Sequence, residues 1–230
     1  MHQKWGKLLF MHWRIEEKAL RALIPEQLDI DTFDGTAWIG IIPFTMWDIQ
    51  ALPPFIPPIP GFSSAHELNV RTYVHYDGVP GVWFFSLDCN SAAAVMAARA
   101  FYHLPYESAE IELDQRGDTI DYSCRRAGDP PAQFTGSWNI GETVPFSHPD
   151  SLEFFLTERY CLYAEAGGDL YRARIWHQPW PLQKATMNSY ASTMIEALGV
   201  KSFDGEPVLK YAEEIDVDIW PIKKVAETRP

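Results

Sequence analysis

The chain has 230 residues, of which 47% are hydrophobic and 14% aromatic, and its formal net charge at pH 7 is −12. This apolar content is typical of a folded protein with a substantial core and excludes a disordered chain. The acidic balance argues against nucleic acid and anionic membranes as partners, because phosphate groups attract clustered Lys and Arg side chains.

Segments with strand character follow one another along the whole chain. They are rich in aromatic and β-branched residues and are separated by Gly, Pro or Asp, a pattern typical of β-strands. In chain order, the predicted strands are residues 7–15, 36–49, 66–76, 81–89, 108–113, 119–126, 132–140, 169–177 and 212–222. Strands therefore dominate the predicted fold.

A few short segments have helical character instead. They are residues 15–25, 90–104, 148–160 and 192–200. The first ends at Pro25, which lacks the N–H group that a continuing helix needs. The second begins with Asn90 or Ser91 as a candidate N-cap, and the last ends at Gly199. We expect these helices to lie at the periphery of the sheet.

Residues 51–62 form a conspicuous irregular stretch within "QALPPFIPPIPGFSS". Closely spaced prolines and two phenylalanines favour an extended, stiff and apolar connection rather than a flexible linker. Two interpretations remain open. The segment either packs over one end of the sheet or forms a lid over a pocket.

A single domain over residues 1–230 accounts for this order of elements, because neither a repeat nor a flexible linker divides it. Strands this numerous leave exposed edges unless the sheet closes on itself. We therefore predict a mainly β (α+β) fold, an antiparallel β-barrel or cone with a few short peripheral helices. A barrel of about eight strands has room for packed side chains or for one small ligand.

Polar residues alternate with apolar ones in the predicted strand "HELNVRTYV". Because successive strand residues point to opposite faces, Glu67, Asn69, Arg71 and Tyr73 share one face. That face is either solvated or the polar wall of an internal cavity. In a cavity, Arg71 would grip a carboxylate and Glu67 would transfer protons. The cavity is favoured, because helices must cover part of the sheet's exterior and the outward face should then be apolar.

His177 is a further candidate residue. It ends the predicted strand 169–177, beside a turn that is bounded by prolines and contains Trp180. It is either a structural histidine or a ligand-binding residue that shuttles protons, since imidazole titrates near neutral pH. No HExxH, CxxC, P-loop or GxGxxG pattern is present, so we expect neither a metal nor a cofactor.

Cys89, Cys124 and Cys161 lie far apart in the sequence, which fits a reducing compartment. No segment reaches the ~20 apolar residues of a membrane helix, and the N-terminal apolar run is interrupted by His12 and Arg14. We therefore expect a cytoplasmic protein. Exposed strand edges and the apolar proline segment favour self-association, for example as a homodimer.

Several sequence blocks carry a resemblance to known proteins. They are "LLFMHWRIEEKALRALIPEQLDIDTFDGTAWIGIIPF", "ELNVRTYV", "GVWFFSLDC", "AARAFYHLPY", "LEFFLTERYCLY" and "HQPWPL". Together they resemble the uncharacterised YqjF-like family along nearly the whole chain. That family is similar in turn to the acetoacetate decarboxylase superfamily, whose members build a barrel or cone of antiparallel strands around an internal pocket. The resemblance implies the same architecture here and no established activity.

The more distant resemblance rests on "LRALIPEQL", on Glu67 at the start of a strand, and on "ARAFYHLPYESAEIEL". In acetoacetate decarboxylases the proline of the last block is followed by two lysines, one of which forms a Schiff base while the other lowers its pKa. Tyr106 and Glu107 occupy those positions here. A phenol cannot form an imine, so the resemblance implies a pocket without this chemistry. Lys184 is the remaining lysine near an aromatic segment.

Two main hypotheses on function remain open. In the first, a pocket inside the barrel binds an organic acid or similar metabolite, with Glu67 and Tyr106 as catalytic residues. The ligand-binding residues of this hypothesis are Asn69, Arg71, Arg99 and His177. The chemistry would be proton transfer next to a carbonyl, decarboxylation without an imine, or hydration. Arg99 has a competing structural role, because an Arg near a helix C-terminus can bind carbonyls or pair with an acid.

In the second hypothesis the protein is a non-catalytic carrier or sensor, and an aromatic-rich cavity takes up an apolar or aromatic ligand. Replacing Glu67 with Gln distinguishes the two, because a carrier should show only a change in affinity. A third interpretation, a scaffold that acts through its acidic surface, predicts no pocket.

Overall fold

The computed structural model describes residues 1–50, 64–126, 128, 130–201 and 203–226, so the Pro-rich segment 51–62 lies outside the described residues. The strands are β1 (His2–Ile15), β2 (Asp29–Ile30), β3 (Ala37–Gln50), β4 (Ser64–Tyr76), β5 (Val79–Cys89), β6 (Tyr106–Arg116), β7 (Thr119–Arg126), β8 (Ala132–Thr143), β9 (Cys161–Ala166), β10 (Asp169–His177), β11 (Leu182–Ser192), β12 (Asp204–Ile219) and β13 (Lys223–Ala226). The helices are α1 (Glu17–Arg21), α2 (Ala92–Tyr102) and α3 (Leu152–Thr157), with a 3-10 turn at Glu196–Leu198. The fold is mainly β, as predicted.

The strands close into two circuits that share one wall. The longer circuit runs through β1, β3, β4, β5, β6, β7, β8, β11 and β12 and returns to β1. The shorter circuit leaves β5 through β9 and β10, reaches β12 and returns through β1, β3 and β4. Among the described strands, only the pairings of β5 with β6 and with β9 are parallel. This closed, mostly antiparallel sheet confirms the predicted barrel or cone.

Two of the short helices begin at serine caps, and the cap of α2 is the predicted Ser91. Ser91 Oγ accepts a hydrogen bond from Ala94 N at 3.3 Å, and Ser151 Oγ accepts one from Phe154 N at 3.2 Å. The last predicted helix is only a 3-10 turn, which Gly199 ends with a φ of 82°. None of the helices in the described part of the chain has the length and apolar character that a bilayer span requires.

Four strands were missed by the sequence prediction: β2, β9, β11 and β13. The clearest case is β11, whose side chains are mostly exposed or half-exposed. It therefore lacks the apolar alternation from which strands are predicted. Its strand conformation comes from pairing with β8, from Gln183 opposite Thr143 to Ser192 opposite Phe134. Long-range pairing of this kind leaves no local signal in the sequence.

The shorter circuit encloses an apolar cluster to which each of its strands contributes. Its members include Phe10, Phe44, Leu87, Ala173 and Val217. We call this cluster the barrel core, and the strand faces that point toward it the barrel face. Leu104, before β6, and Leu156, in α3, pack into the same cluster. The barrel core therefore spans both the closed sheet and its flanking segments.

A second core lies on the opposite face of the shared wall. It joins Leu68 and Val70 of β4 to Leu20 of α1 and to Trp138 of β8. Because β4 is buried on both faces, its two alternating sets of side chains are both removed from water. The apolar set packs into this second core, as predicted from the need to cover the sheet. The polar set faces the barrel core.

A chain of hydrogen bonds ties three elements together at the barrel face. His12 Nε2 lies 2.6 Å from the Tyr73 hydroxyl, which lies 2.5 Å from the Leu156 carbonyl. Since a carbonyl only accepts, the hydroxyl donates to Leu156 and the imidazole Nε2–H donates to the hydroxyl. His12 stands opposite Gly40, where a Cβ would lie 2.6 Å from the imidazole Cδ2. Glycine thus leaves the room that the ring occupies.

We expect Gly40→Ala to lower the free energy of unfolding by about 1–3 kcal/mol, because the added methyl group would displace the imidazole from Tyr73. Urea unfolding measures the change. Gly128→Ala is the control, since a Cβ there meets its nearest neighbour, Arg126 Cγ, at an ordinary 3.6 Å. Equal effects of the two substitutions would contradict this account of His12 packing.

Candidate functional site

A stripe of polar side chains lines the barrel face of β4. Glu67, Asn69, Arg71 and Tyr73 are exposed by only 2%, 4%, 8% and 0%. The strand places them there because its pleat directs every second side chain to one face. The predicted alternation is therefore found, and the stripe is buried rather than solvated. We call these four residues the β4 stripe.

Glu67 and Tyr106 form the first pair in the site. The Tyr106 hydroxyl donates a hydrogen bond of 2.6 Å to Glu67 Oε2. Burial raises the pKa of Glu67 to about 7, although the hydrogen bonds from Tyr106 and Asn69 oppose this shift. Burial also raises the pKa of the Tyr106 phenol well above its ordinary value, as does the nearby Glu67 carboxylate. The phenol therefore stays a neutral donor while the carboxyl group titrates near neutral pH.

The turn before β6 places Tyr106 against the β4 stripe. His103 ends α2 with a φ of 53°. Pro105 follows, and β6 begins at the next residue, Tyr106. The Pro105 carbonyl accepts a hydrogen bond from Leu87 N at 3.1 Å, which starts the parallel pairing of β5 with β6. Tyr106 thus enters the barrel at the first residue of its strand.

Arg99 supports this turn from outside the β4 stripe. Its Nε donates to the Tyr106 carbonyl at 2.6 Å, and Nη2 lies 3.0 Å from Glu107 Oε2. The Arg99 side chain is 52% exposed and the Glu107 side chain 40% exposed. The structure therefore does not bring Arg99 together with Arg71. It makes the structural contacts that a helix-terminal Arg was expected to make.

Asn69 presents an unsatisfied oxygen inside the barrel. Its amide group hydrogen-bonds the Glu67 carboxylate and lowers that group's pKa. Only the NH₂ group can donate to a carboxylate, so the amide oxygen must be the free end. Asn69 Oδ1 is buried and has no hydrogen-bond partner among the described residues. A buried acceptor in this state lacks the hydrogen bond that water would give it.

Arg71 is a buried cation without a carboxylate partner. Its Nη2 donates to the Leu156 carbonyl at 3.2 Å, and its guanidinium lies 5.4 Å from the Phe10 ring centre and 5.7 Å from that of Tyr73. Its Nε has no hydrogen-bond partner among the described residues. Within the described chain, no carboxylate forms an ion pair with Arg71 at 4.0 Å or less. Among the described residues, the site therefore holds a buried positive charge without a direct ion-pair partner.

His177 lies near Arg71, because its ring is 5.0 Å from that of Trp180, and Trp180 packs against Phe10, over which the Arg71 guanidinium lies. It is 3% exposed, its Nδ1 lies 2.7 Å from the Gln178 carbonyl, and its ring stacks on Tyr160. Burial lowers the pKa of His177. It also lines a cavity of about 390 Å³ with Tyr160, Arg174 and Trp176. These contacts fit the structural interpretation of His177, whereas its ligand-binding role stays a prediction.

Sequence reasoning did not single out His12 as a residue of this face. Burial and the Arg71 charge hold the pKa of His12 well below its ordinary value, so the ring is neutral. Its position in the apolar run "LLFMHWRI" was an available signal, because a polar residue inside such a run is buried with its neighbours. No comparable pattern in the sequence indicates that the backbone carbonyl of Leu156 accepts a hydrogen bond from Arg71.

The described residues form neither a Schiff-base lysine site nor a metal site. All eight lysines of the sequence are described, and none of them is buried. Lys184, the candidate for replacing the lysine pair, has a 62% exposed side chain and pairs with Glu142. That suggestion was therefore wrong, because an exposed side chain does not line an internal pocket. Three or more metal-binding side chains do not come together anywhere in the described chain.

Glu67 makes stability depend on pH. In the unfolded chain its ordinary pKa is 4.5, whereas in the folded protein it is about 7. Between these values the folded state holds the proton and the unfolded state has released it, so the free energy of unfolding falls as pH rises. Asp88, whose pKa burial raises to about 6 beside Arg126, adds to the same slope. Of these two carboxyl groups, Glu67 extends the slope further, to about pH 7, whereas His12 and His177, whose pKa values burial lowers, act in the opposite direction.

We expect Tyr106→Phe to move the upper end of this window to higher pH by about one unit, because it removes a hydrogen bond that stabilises the carboxylate. Urea unfolding across pH 4–9 measures the shift. Tyr122→Phe is the control, since the Tyr122 hydroxyl donates to the backbone carbonyl of Glu67 at 2.9 Å. An unchanged upper end in Tyr106→Phe would contradict the assignment to Glu67.

Comparison with solved structures identifies the architecture. The enduracididine biosynthesis enzyme MppR complexed with pyruvate aligns with a TM-score of 0.71 at 11% identity, covering 98% of this chain and 90% of that one. An acetoacetate decarboxylase-like enzyme from Sphingomonas wittichii RW1 aligns with a TM-score of 0.64 at 13% identity, covering 98% and 93%. Identities this low show the fold alone. The predicted acetoacetate decarboxylase-like fold is confirmed.

Comparison of sequences identifies the family. The chain is 42% identical over 224 residues to the uncharacterized protein YqjF of Bacillus subtilis (strain 168), an alignment that covers 97% of this chain and 92% of that protein. The predicted YqjF-like relationship is therefore confirmed. Residues 2–216 match the family DUF2071, described as an uncharacterized conserved protein. With this match over nearly its whole length, the chain belongs to the DUF2071 family.

Proposed function

We propose that this protein binds a small organic acid at the β4 stripe and transfers a proton next to a carbonyl of that ligand. The observation that carries the proposal is Arg71, a buried guanidinium with no carboxylate partner among the described residues. An isolated charge in a protein interior is costly unless an opposite charge and hydrogen bonds accompany it. A ligand carboxylate supplies both.

The surroundings of Arg71 favour an anionic ligand over an apolar one. Its unpartnered Nε–H can donate to a carboxylate oxygen, which is the acceptor that a guanidinium binds best. Within the described structure, the indole N–H groups of Trp5 and Trp180 are also buried without partners, but so are those of Trp13 and Trp138 in the second core, so the Arg71 Nε–H is the specific support for an anion.

Glu67 and Tyr106 supply the proton-transfer chemistry. A carboxyl group with a pKa of about 7 exists in both forms at neutral pH, so it can remove a proton and return it. The Tyr106 hydroxyl remains protonated and can donate to the oxygen of a carbonyl or an enolate. The pair thus combines a base with a donor that stabilises developing negative charge.

This chemistry proceeds without an imine, since none of the eight lysines is buried. The complex of the structurally similar enzyme MppR with pyruvate gives independent support for an oxo acid as the ligand class. Proton transfer next to a carbonyl is the reaction that a carboxyl–phenol pair and a carboxylate-binding Arg can perform together. Decarboxylation through a Schiff base requires an amine that this barrel lacks.

We expect Arg71→Met to weaken binding of oxo acids without destabilising the fold. Loss of the charged hydrogen bonds should weaken binding about ten- to a hundredfold, and removal of an uncompensated charge should leave the free energy of unfolding unchanged or raised. Isothermal titration calorimetry with pyruvate and 5-oxohexanoate measures the affinity. Arg174→Met, on an exposed side chain over Trp220, is the control. Equal binding by both variants would contradict the role of Arg71.

We expect wild-type protein to accelerate deuterium exchange at the carbon next to the carbonyl of 5-oxohexanoate, followed by proton NMR in D₂O. Glu67→Gln should slow this exchange about 10²–10⁴-fold while binding is retained, because the amide cannot act as a base. Glu107→Gln, on the exposed side of the same turn, should leave the rate unchanged. Binding without any acceleration by the wild type would instead identify a carrier.

A further inference from the structure

We propose that the ligand carries a hydroxyl or amine group between its carboxylate and its carbonyl, and that Asn69 selects for this group. The inference rests on the proposed function and names the substrate class of the same site. The class is an oxo acid longer than pyruvate with a hydrogen-bond donor in the middle of its chain.

The length follows from the spacing of the β4 stripe. Glu67, Asn69 and Arg71 occupy successive barrel-facing positions, and a strand rises about 3.3 Å per residue, so the outer two Cα atoms lie ~13 Å apart. The Arg71 guanidinium lies over the Phe10 and Tyr73 rings and donates to the Leu156 carbonyl, and in the described structure it forms no ion pair with Glu67 at 4.0 Å or less. In pyruvate the carboxylate and the carbonyl are adjacent. A ligand that reaches both ends of the stripe therefore needs several intervening atoms.

The donor follows from the state of Asn69. Its NH₂ group is committed to Glu67, and its buried Oδ1 has no partner in the described structure. An amide oxygen accepts hydrogen bonds and cannot donate them. A ligand with a methylene group at this position would leave the oxygen unpaired, whereas a hydroxyl or an amine would satisfy it. The oxygen thus discriminates between two ligands that differ only in this group.

The position of Asn69 fixes where the donor must be. It stands between the residue that binds the carboxylate and the residue that acts on the carbonyl. Only 4% of its surface is exposed. Hydrogen-bonded pairing with both β3 and β5 holds this part of the strand, since Asn69 faces Ile42 on one side and Leu87 on the other. The selecting oxygen is therefore held between the two ends of the ligand.

Calorimetry with matched ligands tests the inference. The probes are pyruvate, 5-oxohexanoate and both enantiomers of 3-hydroxy-5-oxohexanoate, in which the hydroxyl stands midway between carboxylate and carbonyl. We expect one hydroxylated enantiomer to bind wild-type protein about tenfold more tightly than 5-oxohexanoate, and both to bind more tightly than pyruvate. Asn69→Leu, which replaces the amide with an apolar group of similar size, should remove the preference for the hydroxyl.

The outcomes separate this inference from the proposed function. Equal affinity of wild-type protein for the hydroxylated and plain acids, with binding still weakened in Arg71→Met, would overturn the role of Asn69 alone. Pyruvate binding as tightly as the six-carbon acids would overturn the inferred length. Failure of every acid to bind would overturn both proposals. Because the preference is first measured on wild-type protein, poor folding of Asn69→Leu does not affect this decision.

Discussion

Removal of the β4 stripe from water is the constraint on which the candidate site depends. Burial pushes titratable groups toward their neutral forms, raising the pKa of Glu67 to about 7 and holding that of His12 well below its ordinary range. Arg71 is the exception, because a guanidinium does not lose its proton in a protein. The same desolvation therefore gives a carboxyl group that can exchange protons and a fixed charge that needs an anion. Both functional elements of the site arise from one cause.

Much of this arrangement could be predicted from local sequence patterns. Period-two alternation correctly grouped the β4 stripe, because strand geometry assigns faces without reference to the rest of the fold. Contacts made by long-range pairing could not be predicted in this way. The strand β11 exists through its pairing with β8, and the hydrogen bond from Tyr73 to the Leu156 carbonyl joins residues 83 positions apart. The free Asn69 oxygen is likewise a property of the assembled barrel.

The turn before β6 shows how the fold can keep a position while its chemistry changes. Tyr106 reaches Glu67, and the next residue, Glu107, points away and pairs with the half-exposed Arg99. Alternation along β6 explains this division, since neighbouring residues face opposite sides. A pair of amines at these positions would place only one of them toward Glu67. Here that inward position holds a phenol, which donates a hydrogen bond but forms no covalent intermediate.

The unsatisfied groups of the β4 stripe also bear on stability. An unpartnered amide oxygen and an unpaired guanidinium each destabilise the folded state, so the two apolar cores must offset them. Pairing of β4 with both β3 and β5 prevents these groups from relaxing toward water. The polar groups of the β4 stripe are thus held in fixed positions, so the proposed ligand would cost little conformational freedom on binding. Because the strand cannot adjust its spacing, the proposed function makes discrimination among ligands depend on their length and on the placement of their polar groups.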